Sequence, residues 1–554
     1  MILVNFIRQN RWTFAVGQGL FHYEEIELPY LDSRPMTIVY DTGTFSKHSD
    51  ENDAAYYNVE QVNKRLKFFC KNTIDYLVLS HFHADHYNLM SQLITKNKVR
   101  YFVAPLLTPE NNTFEIAAVA YDWLSDNSNL SKSTEEKELI TKFVDNGTDG
   151  FSQQLFRDRK PNQFIYITNG SNKNENTEPI VHFIPDESSD DNSYENENRN
   201  NSNFGNENGN NRSIIINDNQ PIIIQSHKLQ SFWNMVFYCN TPNINPPRYW
   251  SAAQGLLKEQ LKDVWEKYSD KPELFRDHFE HIFSKKTYLP KISKKNKSKS
   301  PKRKKVTFND VFGYADVNMT SLTMYSGINS QQDKLLYGGK HFWSFPRSTG
   351  PRDELEHGIE KLLVHTAKET SNGKRQSLDE TFGSQAERLN ILKSLYRRSK
   401  LCFIPHKSQR LNINWYWRYS NSNSELSIPS YKWPTGKRNL YWSWIGFGDM
   451  NFENEAVAKK FIEHFKKQDN LLETVGCCSA PHHGSYTGFA TNKIPSEFPG
   501  AICLISCDPN REGFGHPRIE AVSSIIQGGM LPTLVSDQEQ STFHETLCWT
   551  ILDH

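Results

Sequence analysis

The chain has 554 residues, and this length predicts two to four units of roughly 100–200 residues each, or one large domain with insertions. Its 64 basic residues equal its 64 acidic residues in number, which excludes a protein whose whole surface binds nucleic acid but leaves room for a local basic patch. Hydrophobic residues make up only 37% of the chain, yet 34 Phe, 24 Tyr and 12 Trp are present, so we expect an aromatic core diluted by polar insertions.

The first ninety residues combine strand, turn and helix patterns. Residues 13–28 and 35–44 predict strands that end in turns marked by glycine. Apolar residues at helical spacing predict a helix over 56–70. The continuous apolar run 74–80 is short enough to be a buried strand. It leads into the sequence HFHADH at 81–86, which is followed by a predicted helix.

The middle of the chain has a different composition. Helical patterns cover residues 115–144 and 251–283. Between them, residues 190–212 contain ten Asn and almost no apolar side chain, so we expect a disordered loop over 188–212. Residues 285–305 contain eleven Lys or Arg and no acidic residue, which predicts a basic loop.

Strand patterns return near residues 319–327, and the last third alternates between strands and helices, with helices near 454–467 and 518–528. This alternation at both ends of the chain favours one α/β domain that is interrupted by insertions. We therefore divide the chain into an N-terminal half-domain over 1–105, a partly helical insertion region over 106–314 and a C-terminal half-domain over 315–554.

The sequence also predicts where in the cell the protein is located. No apolar run approaches the roughly 18 residues of a membrane span. Arg8 and Arg11 interrupt the N-terminal apolar stretch too early for a signal-peptide core. Eight Cys without C-x-x-C pairs are typical of reduced thiols. These features together predict a cytoplasmic protein without a membrane span.

The strongest chemical signal is the loop that follows the buried strand. Residues two apart on an extended segment point the same way, so we expect His81 and His83 to share one metal ion. Asp85 and His86, at the start of the next helix, can turn toward a second ion. Imidazole together with carboxylate suits Zn²⁺ or Mn²⁺. The alternative is a loop of surface histidines that binds no metal.

This loop resembles the HxHxDH metal-binding loop of the metallo-β-lactamase superfamily, and further motifs follow in the order of that family. They are VGQG (16–19), DTG (41–43), an Asn-x-x-Ser-Leu strand (318–322), GD (448–449), HHGS (482–485) and GHP (515–517). Over about residues 10–105 and 315–550, the series resembles the metallo-β-lactamase-like domain of ComEC-type competence proteins. The resemblance implies a four-layer αββα sandwich with one or two metal ions at the edge of its two sheets.

The resemblance also implies a role for each motif residue. Asp41 is similar to the aspartate that orients the metal loop, and Asp449 to the carboxylate that bridges two ions. The last histidine ligand would be His482 or His483, with His482 preferred. The implied metal ligands are therefore His81, His83, Asp85, His86, Asp449, His482 and His483.

ComEC-type domains are thought to be metal-dependent nucleases, so the resemblance implies phosphodiester hydrolysis by an activated hydroxide, with one or two divalent ions (Zn²⁺ or Mn²⁺) and DNA or RNA as substrate. Asp85 or Asp449 could accept the water proton, and His516 could protonate the leaving alkoxide. The basic loop is a solvated loop, an accidental localisation-like signal or a nucleic-acid contact made through Lys294, Lys295, Lys302, Arg303 and Lys304. The sequence leaves open whether the chain binds a protein partner.

Three departures from the family pattern leave alternatives open. Ser479 stands where the subgroup usually has Lys, and residues 87–90 replace the usual glycines. The histidine that completes the first metal site has no clear counterpart; His227, His341 and His406 are candidates without a supporting motif. The alternatives are a hydrolase of small molecules (lactones, thioesters or cyclic nucleotides) and a catalytically degenerate binding component of a DNA-processing or defence complex.

Overall fold

A computed structural model describes residues 5–27, 34–45, 54–125, 133–169, 178–183, 213–225, 232–239, 250–284, 287–289, 304–306, 321–328, 336–344, 443–468, 470–499, 501–508, 516–537 and 541–551. The asparagine-rich segment 188–212 lies outside the described residues, and so does most of the basic segment 285–305. The same holds for Lys294, Lys295, Lys302, Arg303, His227 and His406.

The strands are numbered in chain order within the described residues. They are β1 (Asn5–Thr13), β2 (Phe21–Glu27), β3 (Met36–Thr42), β4 (Thr73–Val78), β5 (Lys98–Pro105), β6 (Gln163–Thr168), β7 (Ile180–Phe183), β8 (Ser213–Asn217), β9 (Ile222–Gln225), β10 (Trp233–Cys239), β11 (Thr287–Leu289), β12 (Lys304–Val306), β13 (Leu322–Ile328), β14 (Leu336–Ser344), β15 (Ser443–Gly446), β16 (Val475–Ser479), β17 (Ile502–Ser506), β18 (Leu531–Val535) and β19 (Phe543–Ile551).

The helices are numbered in the same way. They are α1 (Ala54–Phe69), α2 (Ala84–Tyr87), α3 (Met90–Lys96), α4 (Thr113–Ser125), α5 (Thr134–Leu155), α6 (Trp250–Tyr268), α7 (Pro272–Ser284), α8 (Glu455–Lys467) and α9 (Ile519–Gln527). Short 3₁₀ turns cover Leu471–Thr474, Pro481–Gly484 and Pro495–Glu497.

The strands form two large mixed sheets and a hairpin of β11 and β12. The first sheet has the order β14-β19-β1-β2-β3-β4-β5-β6-β8, and the second has the order β18-β17-β16-β15-β13-β10-β9-β7. Strands β3, β4, β5, β6 and β8 run parallel, as do β15 to β18. Two mixed sheets combined with helices confirm the α/β class that the sequence predicts.

Among the described residues, apolar side chains fill three cores. The first lies between the two sheets, where Tyr40 and Trp444 pack together. The second lies between the first sheet and its helices, with Leu77 from β4 and Phe143 from α5. The third includes Phe461 of α8 and lies on the outer face of the second sheet. Helices therefore cover the outer face of each sheet, as the burial of apolar sheet faces requires.

Residues of the predicted insertion region 106–314 contribute to both sheets. Strands β6 and β8 extend the first sheet beyond β5, and strands β7, β9 and β10 extend the second sheet beyond β13. Helices α4, α6 and α7 pack on one another, and the ring of Trp265 on α6 lies 6.0 Å from that of Trp123 on α4. This region is thus packed into the same unit as the two ends of the chain.

Several element boundaries differ from the sequence prediction for local reasons. The helical pattern over 115–144 forms two helices, because Ser133 and Glu136 make a capping box that starts α5. The predicted strand over 13–28 is interrupted by a turn at Gly17 and Gly19, whose φ angles are 67° and 149°. Strand β2 therefore begins only at Phe21.

The described helices differ from membrane-spanning helices in length or composition. None of them, within the described part of the chain, combines the length and the apolar composition that a span requires.

A buried ion-pair network joins three strands of the first sheet at Asp75 of β4. Arg34 makes two hydrogen bonds of 2.7 Å to its two carboxylate oxygens, and Arg100 of β5 adds one of 3.1 Å. The backbone N–H of Thr37 on β3 donates a further bond of 3.0 Å. Burial alone would raise the pKa of Asp75, but Arg34 and then Arg100 lower it to about 2. The charged carboxylate is therefore the form that the fold stabilises.

We predict that Asp75→Asn lowers the free energy of unfolding by about 3 kcal/mol at pH 7, because both arginines lose a buried partner. A carboxyl group with a depressed pKa contributes stability above its unfolded pKa of roughly 4, and the contribution of about 2 kcal/mol is lost as pH falls toward 2. The difference between wild type and variant, measured by urea denaturation, should therefore shrink between pH 4 and 2.

Glu110→Gln provides the matched control, since Glu110 pairs with Lys258 at the exposed surface. This change should alter stability by less than about 0.5 kcal/mol. A difference between wild type and Asp75→Asn that stays constant from pH 7 to 2 would contradict the role given to the Asp75 charge.

Candidate metal centre

The histidines and aspartates singled out in the sequence meet where strands of both sheets end. Asp41 ends β3, and His81 follows β4 in the first sheet. Asp449 follows β15, and His483 follows β16 in the second sheet. Because the carboxyl ends of parallel strands lie at one edge of a sheet, both sheets direct these polar side chains to the same place.

Two groups of three side chains there could each hold a metal ion. The first group is His81, His83 and Asp449, and the second is Asp85, His86 and His483. Within each group, the candidate ligand atoms all lie within 4.8 Å of one another. Five of these six side chains are buried, and His83 is half-buried.

The Asp449 carboxylate connects the two groups. Its Oδ2 atom lies 3.4 Å from Nε2 of His81, and its Oδ1 atom lies 3.3 Å from Nε2 of His86. In the second group, Nε2 of His483 lies 3.1 Å from Oδ2 of Asp85 and 3.3 Å from Nε2 of His86. One carboxylate thus faces both groups, each with a different oxygen.

These distances and the donor set fit divalent ions. Ligand atoms about 2.0–2.2 Å from one tetrahedral ion lie about 3.3–3.6 Å from each other, which is the spacing observed around Asp449. Nε2 of His81, Nε2 of His83 and Oδ1 of Asp449 are buried and make no hydrogen bond. Buried polar atoms normally have a partner, and a metal ion could supply the partner that these three atoms lack.

Hydrogen bonds on the far side of the rings orient the imidazoles. Nδ1 of His86 donates to Asp41 at 2.8 Å, and Nδ1 of His483 donates to the backbone carbonyl of Ser506 at 2.9 Å. Nδ1 of His81 lies 2.9 Å from Oγ of Ser80, which itself donates to Asp41. Donation from Nδ1 leaves the lone pair of Nε2 free for a metal, which is the usual arrangement for a histidine ligand.

Burial and the neighbouring charges control the protonation of the group. Burial, together with His86, lowers the pKa of His81; burial, together with His81, lowers the pKa of His83 to about 3. Burial would also lower the pKa of His86, but carboxylates, with Asp85 the strongest, raise it well above its ordinary value. Burial would raise the pKa of Asp449, yet the surrounding histidines hold it well below its ordinary value.

The loop that carries the candidate metal ligands, residues 81–86, packs closely against the turn after β3. A Cβ atom on Gly43 would lie 2.3 Å from the carbonyl carbon of Asp85 and 2.4 Å from the backbone nitrogen of His86. Only glycine leaves room for this contact. The backbone N–H of Leu20 donates to the carbonyl oxygen of Asp85 at 3.2 Å, so the glycine turn at 17–19 also supports the loop.

Serines position Asp449 from the second sheet. Oγ of Ser321 accepts the backbone N–H of Asp449 at 2.9 Å. Oγ of Ser479, one of the departures from the motif pattern, accepts the backbone N–H of Phe447 at 3.1 Å. Gly448 has a φ of 53° and makes the turn between them. Ser479 therefore supports the backbone that carries Asp449.

His482 and His516 form one wall of the site. Their ring centroids lie 5.5 Å apart, and Nε2 of His482 lies 3.8 Å from Asp449. The side chain of His482 is 32% exposed, whereas that of His483 is 4% exposed. In the structure it is His483, rather than the preferred His482, that joins Asp85 and His86. The backbone φ angles of His482 and His483 are 47° and 53°, and this turn directs only the His483 ring inward.

Other sequence candidates fall in different places. His341 lies on β14, which is at the far edge of the first sheet, and Lys304 lies on β12 of the separate hairpin. Sequence reasoning missed Asp122 of α4, whose Oδ2 lies 3.4 Å from Nε2 of His83. No motif surrounds Asp122. Ser80, in contrast, directly precedes the histidine loop and could have been singled out by that position.

In a comparison with known proteins, no family model matches the chain and no curated protein matches it.

We predict that Gly43→Ala lowers the free energy of unfolding by about 1–3 kcal/mol, because the added methyl group overlaps backbone atoms of the metal loop. The same displacement should weaken Zn²⁺ binding, which is measured by competition with a chromophoric chelator.

Gly255→Ala is the matched control, since a Cβ atom at this position of α6 meets no atom within 4 Å. That substitution should stabilise the helix by about 0.5–1 kcal/mol and leave Zn²⁺ binding unchanged. If Gly43→Ala matched wild type in both stability and Zn²⁺ affinity, the close approach of the two loops would have no energetic role.

Proposed function

We propose that the chain has the metallo-β-lactamase fold and is a metal-dependent hydrolase that cleaves phosphodiester bonds in DNA or RNA. The observation that carries the proposal is the pair of buried His/Asp groups that share Asp449. Two adjacent divalent ions are typical of enzymes that displace an alkoxide from phosphorus in line.

The packing of the layers supports the proposed fold. Helices cover the outer face of each sheet, and the two inner faces share one core. The candidate metal centre lies at the edge of both sheets, which is the place that the resemblance implies. The motifs DTG, HxHxDH, GD and HHGS all contribute to this edge.

The residues present fit one or two divalent ions such as Zn²⁺ or Mn²⁺. His81, His83 and Asp449 would hold one ion, and Asp85, His86 and His483 would hold the other, with Asp449 within reach of both. Such ions, when bound, lower the pKa of a coordinated water and neutralise charge on phosphoryl oxygens.

The protein groups themselves can bind, orient and accept protons. The pKa of Asp85 and that of Asp449 are both held well below the ordinary value by neighbouring histidines, although burial opposes this, so both carboxylates are ionised at neutral pH. An ionised carboxylate at the reaction centre can accept a proton from water. Asp41, through Ser80 and His86, holds the loop in the orientation that this transfer requires.

The geometry at the exposed wall favours a substrate contact by His482. Burial, assisted by His482 and His483, lowers the pKa of His516 to about 3, so this ring is neutral at neutral pH. A neutral imidazole is a poor proton donor, and the role of His516 in protonating the leaving alkoxide stays a prediction. His482 is more exposed than His483 and lies next to Asp449, where a phosphate oxygen would approach.

We predict metal-dependent cleavage of end-labelled single- or double-stranded DNA, or of RNA, in Mn²⁺, Mg²⁺ or Zn²⁺. Asp449→Asn should reduce the cleavage rate by at least about 100-fold, because the carboxylate shared by both groups becomes a neutral amide. Cleavage is followed on denaturing gels, and the metal content of each protein is measured in parallel.

Asp263→Asn is the matched control, since Asp263 lies on the exposed face of α6 and pairs with Lys267. It should retain wild-type activity. A folded, metal-loaded Asp449→Asn protein with full activity would contradict the proposal. If metal-loaded wild type cleaved a cyclic nucleotide, a lactone or a thioester but no nucleic acid, the proposed hydrolase activity would stand and the proposed substrate class would be wrong.

A further inference from the structure

We infer that Asp122 is a ligand of the ion held by His81, His83 and Asp449, and that it takes the position for which the sequence offers no histidine with a supporting motif. This inference rests on the metal centre of the proposed function. It assigns a functional role to α4, a helix that lies in the predicted insertion region 106–314.

The contact between Asp122 and His83 supports this assignment. Oδ2 of Asp122 lies 3.4 Å from Nε2 of His83. That is the separation expected, at about 3.3–3.6 Å, for two ligand atoms of one tetrahedral ion. It equals the separation between His81 and Asp449 in the same group. Nε2 of His83 is buried and makes no hydrogen bond, so the nearby carboxylate does not supply the hydrogen-bond partner that this nitrogen lacks.

The packing of α4 holds Asp122 at this place. Trp123 and Leu124 are buried on the core side of the helix, while Asp122 is exposed. The N-terminus of α4 is tied to α6, because the backbone N–H of Phe114 donates to the Gln254 side chain at 2.9 Å. The helix is therefore fixed beside the site, and the side chain of Asp122 is 56% exposed. Asp122 is not within the first group of three, so binding would require its side chain to rotate toward the ion.

Charge and ligand balance support the same assignment. The second group contains two imidazoles and Asp85, with Asp449 shared. Without Asp122, the first group has two imidazoles and only the shared carboxylate. With Asp122, each ion has two imidazoles, one carboxylate of its own and the shared Asp449. Two divalent ions then face three carboxylates, which leaves a small positive charge that suits an anionic phosphodiester.

The test measures Zn²⁺ binding to the full chain by competition with a chromophoric chelator. Wild type should bind two equivalents. Asp122→Asn should bind one equivalent as wild type does and the other at least about tenfold more weakly, because one charged oxygen ligand is lost. The exposed control Asp263→Asn, on the neighbouring helix α6, should bind both equivalents as wild type does.

A second variant separates coordination from simple charge. Asp122→His restores a side chain that can bind metal but removes the negative charge, so it should recover affinity to within about tenfold of wild type. Co²⁺ substitution gives a further readout, since the visible absorption of one equivalent should change in Asp122→Asn and stay unchanged in Asp263→Asn.

The outcomes distinguish this inference from the proposed function. Wild type that binds no divalent ion would contradict the metal centre as a whole. Wild type that binds two equivalents, together with Asp122→Asn that binds both with equal affinity, would overturn only the role of Asp122. If Asp122→His bound as weakly as Asp122→Asn, Asp122 would act through its charge and not as a ligand.

Discussion

The buried carboxylate of Asp41 is the interaction on which the candidate site depends. Its side chain is fully buried at the end of β3, and it accepts hydrogen bonds from the Ser80 backbone, the Ser80 hydroxyl and Nδ1 of His86. Each carboxylate oxygen has a partner, so the cost of burying the charge is offset. The same bonds fix the loop after β4 and direct the imidazoles away from the core. Gly43 completes this arrangement because it lets the loop pack directly on the turn that carries Asp41.

The two halves of the site meet only because the two sheets pack on each other. Asp85 and His483 are 398 residues apart in sequence, yet their side chains lie 3.1 Å apart. The hydroxyl of Tyr40 on the first sheet donates to the backbone carbonyl of Leu322 on the second at 2.6 Å, and the backbone N–H of Leu322 donates to the carbonyl of Ser80 at 2.8 Å. These cross-sheet bonds lie next to the metal loop, so the distance between the two candidate groups is set by the packing between the sheets.

The sequence predicted the local features well, and its errors have physical causes. The apolar run before His81 is a strand, and the α/β alternation of the last third is present, because both depend on short-range periodicity. The choice between His482 and His483 could not be made from adjacent identical residues, since the backbone turn alone decides which ring points inward. Asp122 had no signal, because its position over His83 depends on how α4 packs against α6 and α7.

By itself, the sequence determined the class of the fold, several elements near the two ends of the chain and the types of side chain available for the candidate centre, whereas strands β5 to β10 had no predicted counterpart. These properties follow from periodicity, turn residues and the spacing of histidines and aspartates, all of which act over a few residues. Only the tertiary structure decided that Asp449 faces both groups and that His483 joins Asp85. It alone placed Asp122 of α4 beside His83. Those relations depend on contacts between elements far apart in the chain, and such contacts are set by the packing of two sheets and their helices.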